Sequence, residues 1–81
     1  MTHGQRVLKY LDDFGSITTL DAFNDLGNTR LAVTIHNLRK QGYNIRSTTE
    51  KRKNRYGEDT HYSRYYFKGS EFEKLLNKGE I

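Results

Sequence analysis

The chain is 81 residues long, with 30% charged and 33% hydrophobic residues and a net charge of +4. That length holds one domain, whose fold buries only about two-thirds of the surface of the unfolded chain, so its core must be compact. Without cysteine it has neither a disulfide framework nor a thiolate metal site, and no apolar run approaches the ~20 residues of a membrane span.

Val7, Leu8, Leu11 and Phe14 fall at helical spacing, which predicts a first helix over residues 2–13 with Gly15 as its stop. Ser16, Ile17 and Thr18 are then short and extended, suited to adding a small strand to a sheet edge. Thr18 and Asp21 form a capping pair for a second helix that runs to Leu26 and is expected to offer Leu20, Phe23 and Leu26 to the core. Gly27 permits a tight turn, and Asn28 is expected to cap a third helix over residues 29–41. Gly42 suits its C-terminal end, where Arg39 and Lys40 favour the negative helix pole. Leu31, Ile35 and Leu38 form the buried stripe of this helix at i, i+4 and i+7. Its opposite face carries Thr29, Arg30, Val33, His36, Asn37 and Lys40, with no acid among them.

Two extended stretches follow, residues 43–49 and 60–67, the second rich in the Thr and Tyr that suit strands. Between them residues 51–59 read as a long basic hairpin tip. Tyr62, Tyr65, Tyr66 and Phe67 are expected to pack in the core and on the sheet. Ser70 and Glu73 repeat the capping pattern, so residues 70–81 form either one short helix docked by Phe72 and Leu76 or a frayed end. The fold class expected is α+β: one domain over residues 1–81, with its core at about 5–68. The expected interior is Val7, Leu8, Leu11, Leu20, Phe23, Leu26, Leu31, Ile35, Leu38 and Ile45. The ten aromatic residues, six Tyr and four Phe, argue against disorder.

Charge is sorted along the chain. Residues 29–55 hold Arg30, Arg39, Lys40, Arg46, Lys51, Arg52, Lys53 and Arg55 against Glu50 alone, a net +7, whereas the flanking segments carry −2 and −1. A small domain with one such basic face suits an extended anion, and double-stranded DNA is the commonest. The order helix, short strand, helix, tight turn, helix, hairpin is that of a winged helix-turn-helix. The third helix then enters the major groove, with Arg30 suited to guanine and Asn37 to adenine. Val33, His36 and Lys40 share that face, and Asn28 and Thr29 can meet phosphate at the helix start. Lys51, Arg52, Lys53 and Arg55 suit phosphates, Arg55 or a neighbour can enter a minor groove, and Tyr56 can stack or hydrogen-bond there.

Several of these stretches resemble a family of small phage and prophage winged helix-turn-helix proteins. They are the opening Gly15-Ser-Ile-Thr-Thr-Leu-Asp-Ala-Phe23, the passage Leu38-Arg-Lys-Gln-Gly-Tyr-Asn-Ile45 and the tip Asn54-Arg-Tyr-Gly57. The likeness spans roughly residues 5–67. It implies the fold and a phage or prophage origin, with the cytoplasm of an infected or lysogenic bacterium as the location. Asn28 departs from the apolar residue usual in the turn.

Catalysis is not expected. His3, His36 and His61 are scattered without partners at ligand spacing, Asp12 and Asp13 would point to different sides of a helix, and no phosphate-binding glycine loop is present. No cofactor, metal or membrane partner is expected. The N-terminus lacks the basic start and apolar middle of a signal peptide, which favours the cytoplasm. DNA-binding jobs such as repressor, excision factor or replication accessory are equally compatible with these residues, as is a dimer on DNA. A different function class is also open: a protein–protein module that binds and inhibits a host nucleic-acid enzyme.

Overall fold

The computed structural model describes residues 2–78. Its elements run α1 (His3–Phe14), β1 (Ile17–Thr18), α2 (Thr19–Leu26), α3 (Leu31–Lys40), β2 (Ile45–Lys53), β3 (Asp59–Phe67) and α4 (Glu71–Asn77). Local chemistry sets most of these boundaries. Thr2 and Gln5 cap α1 reciprocally, Gly15 ends it at φ 85°, and Thr18 and Asp21 form the expected capping box of α2. Gly42, at φ 104°, follows α3 as expected, and the Tyr43 N–H donates to the Leu38 carbonyl.

The three strands form one antiparallel sheet in the order β1-β3-β2, with Ile17 opposite Tyr65 and Ile45 opposite Phe67. Successive strand residues point to opposite faces. Ile45, Tyr65 and Phe67 therefore join the helical core, while Tyr66, Arg64 and Tyr62 lie on the other face. There Tyr66 meets Phe72 of α4, with ring centres 5.1 Å apart, and the Arg64 guanidinium lies 5.9 Å from the Phe72 ring centre. The tail helix and its docking through Phe72 thus follow the sequence expectation; residues 79–81 of that expected segment lie outside the described residues. Glu73 departs from a full capping box. It accepts from the Gly69 N–H at 3.1 Å instead of reaching Ser70, and pairs with Arg46 at 3.6 Å.

The interior is Val7, Leu11, Ile17, Ala22, Leu31, Ile35, Leu38 and Ile45, with Leu8, Tyr10, Leu26, Tyr65 and Phe67 packed around it. Leu20 and Phe23 correct the expected core: they are 60% and 57% exposed, and Ala22 takes the inward position. The rotation of α2 is the reason. Ile17 must point inward from β1, and the capping box ties Asp21 to Thr18 at once, so the phase of this short helix is set at its first turn. Ala22 then faces the core, and Leu20 and Phe23 share the outward side.

Midway along the hairpin, Glu50 accepts from both Tyr62 (2.7 Å) and Arg64, and Arg64 also donates to Ser16 (3.0 Å). Burial opposes ionisation of Glu50, but the hydrogen bonds from Arg64 and Tyr62 outweigh it and hold the carboxyl below its ordinary value. A carboxyl with a depressed folded pKa contributes stability above its unfolded pKa, and that contribution disappears as pH falls through the folded value. Melting temperatures of the wild type and Glu50→Gln should therefore differ most near neutral pH and converge in acid. A constant difference across that range would show that the ionised carboxylate is not what matters at this site.

Candidate nucleic-acid interface

The turn before α3 is built around Asn28. Its Oδ1 accepts from the Arg30 N–H at 2.8 Å and its Nδ2 donates to Thr34 Oγ1 at 3.1 Å, while Thr34 Oγ1 donates to the Arg30 carbonyl at 3.3 Å. One side chain thereby fixes the turn to the first turn of the helix. Asn28 was expected at the N-cap with its side chain available to phosphate. Instead it is only 3% exposed and its amide is used internally at both ends. The helix starts two residues later, at Leu31, and Arg30 takes the N-cap position with no side-chain cap of its own. Asn28 is thus a positioning residue that aims the segment after it.

Leu31, Ile35 and Leu38 are buried to 1–2% exposure, so the face opposite them is turned outward. Thr29, Arg30, Val33, His36, Asn37 and Lys40 are all exposed on that side, with Val33 54% exposed. The far end of α3 is held by Arg39, whose Nε donates to the Ile45 carbonyl at 2.8 Å. That bond couples the helix to the first residue of β2, and hence to the hairpin.

The hairpin differs from its expected shape. Strand pairing continues to Lys53 opposite Asp59, so Lys51, Arg52 and Lys53 lie on a strand and the tip is only residues 54–58. The Asn54 side chain closes this tip, accepting from the N–H groups of Tyr56 (2.9 Å) and Glu58 (3.0 Å). An Asx turn of this kind needs few residues, which is why the strands reach so far. Alternation then divides the cations. Lys51 and Lys53 share one face with His61 and both pair with Asp59, at 3.5 and 3.3 Å. Arg52 lies on the other face, and Arg55 and Tyr56 occupy the tip, where Tyr56 is 82% exposed. Among the described residues, Arg30, Lys40, Arg52 and Arg55 have no ion-pair partner.

Helix, turn, outward-facing helix and hairpin are therefore joined by hydrogen bonds into one arrangement. A family described as the winged helix-turn-helix domain matches residues 2–69. The chain belongs to that family. The match covers α1 to the end of β3 and stops just before α4. No curated protein and no solved structure matches the chain. For this winged helix-turn-helix domain, the family points to DNA as the partner. Among the described residues, no helix is long and apolar enough to cross a membrane, and no cluster of three His, Cys, Asp or Glu side chains is placed to hold a metal ion.

Three side chains beside this face were absent from the expected set. Tyr43, Gln41 and His3 line a cleft that adjoins Arg30, Val33 and Asn37. His3 carries no signal in the sequence, because only the crossing of α1 over α3 brings it to Gln41 and Tyr43 at the end of α3.

Proposed function

We propose that this winged helix-turn-helix domain is a sequence-specific double-stranded DNA-binding protein of phage or prophage origin. It acts in the bacterial cytoplasm in transcription control, without catalysis or a cofactor. The observation that carries this reading is the outward face of α3: polar, basic and free of acids, on a helix whose other side is fully buried. In the major groove, Arg30 and Asn37 read base edges, with Val33 and His36 beside them, while Thr29 and Lys40 meet the backbone. The hairpin lies on the neighbouring backbone, and Arg55 at its tip is the residue suited to a narrow minor groove. The phage origin rests on the likeness of residues 15–23, 38–45 and 54–57 noted above.

Titrating a labelled duplex at several salt concentrations tests the proposal. Affinity should fall steeply as salt rises, because each neutralised phosphate releases counterions. Arg52→Ala and Arg55→Ala should each flatten the slope of log affinity against log salt by about one unit. Lys51→Ala and Lys53→Ala should each flatten it less, since Asp59 already neutralises part of their charge. Undetectable duplex binding at both low and high salt would reject the proposal in favour of a protein partner.

A further inference from the structure

The outward face of α3 is one wall of a cleft of about 730 Å³, and the first turn of α1 is the other. Gly4 allows this close crossing: a Cβ there would stand 3.2 Å from Leu38 Cδ2. Leu8 and Leu38 contribute apolar lining, and polar groups complete the walls. None of the lining residues is acidic, although α1 and α2 carry four aspartates between them. Thr2 and Gln5 spend their side chains on capping each other's backbone N–H groups. The His3 imidazole and the Tyr43 hydroxyl, by contrast, have no hydrogen-bond partner among the described residues, and Tyr43 is 42% exposed. The cleft thus presents a cation, Arg30, and the uncommitted donors of His3 and Tyr43 from separate segments beside those of Thr29, Asn37 and Gln41, with no carboxylate to repel an anion.

We propose that this cleft takes a phosphodiester strand of the duplex, flanking the groove that α3 reads, and that His3 and Tyr43 donate hydrogen bonds to its phosphate oxygens. The inference rests on the proposed function and extends it to α1, which otherwise serves only the core. A phosphate contact of this kind positions the protein without selecting a base. It therefore affects affinity and register on the DNA but not the preferred sequence.

Phosphate-ethylation interference on a duplex that binds the wild type tests this directly, using the full chain and the variants His3→Ala and Tyr43→Phe. The second removes a single oxygen and leaves the ring in place. Each variant should melt like the wild type, select the same consensus and bind about three- to tenfold more weakly, the range of one lost hydrogen bond. Interference should vanish at one or two flanking phosphates and persist elsewhere. If both variants keep wild-type affinity and the complete interference pattern while Arg55→Ala still weakens binding, the cleft contact is refuted and the DNA-binding reading stands. If the wild type itself binds no duplex, both fall together.

Discussion

Leu31→Ala or Ile35→Ala should destabilise the domain by about 2–5 kcal/mol, the range of large-to-small truncations in well-packed cores. Both side chains are 1% exposed and point from α3 into the cluster formed with Val7, Leu11 and Ile17. Native domains are stable by only about 5–15 kcal/mol, so either substitution removes a large share of the total. At this chain length each kcal/mol shifts the melting temperature by roughly 4–8 °C, so a drop of about 10 °C or more is expected. Leu20→Ala and Phe23→Ala provide the contrast. Both residues are exposed, and such surface changes usually stay within about 0.5 kcal/mol. Thermal melts of the four variants decide the matter: an unchanged melting temperature for Leu31→Ala or Ile35→Ala would mean that the faces of α3 are assigned wrongly.

Arg30→Ala and Asn37→Ala should do the reverse, leaving the fold intact and altering recognition. Both side chains lie on the outward side of α3 and neither contributes to the core. Arg30 contributes only backbone groups to the turn, its N–H to Asn28 and its carbonyl to Thr34, and alanine retains these. In the proposed complex each variant loses a paired contact to one base, which weakens discrimination at that position by about 1–3 kcal/mol. Binding-site selection is the measurement. The wild type should yield a consensus in which one position relaxes in each variant, and the two positions should differ. Identical consensus sequences for all three proteins would remove Arg30 and Asn37 as base readers. Asn28→Ala should behave differently from both, lowering stability and affinity together because its amide holds the turn that aims α3.

What the sequence determined by itself were the features whose physics is local. Capping pairs lie three residues apart, so Thr18 and Ser70 mark helix starts without reference to the rest of the chain, whereas the cap at Thr2, which the helical spacing placed inside α1, showed only in the structure. The stripe of Leu31, Ile35 and Leu38 follows from helical periodicity, and with it the outward face of α3. The sorting of charge into residues 29–55 is equally legible, since it needs only counting. Tertiary structure decided wherever a residue's environment depends on partners far along the chain or on the phase of a short element. Leu20 and Phe23 satisfy an amphipathic pattern as well as Ala22 and Leu26 do, and eight residues are too few for periodicity to choose between them; the position of Ile17 chooses. Lys51 and Lys53 look as free as Arg52 and Arg55 in sequence, and only the strand register sets Asp59 beside them. Asn28 has the chemistry of a cap, but Thr34, six residues on, drew its amide inward and turned a candidate contact into a buried brace. The cleft containing His3 and Tyr43 exists only where α1 crosses α3, closely at Gly4, a proximity between residues some 40 positions apart that no local pattern encodes.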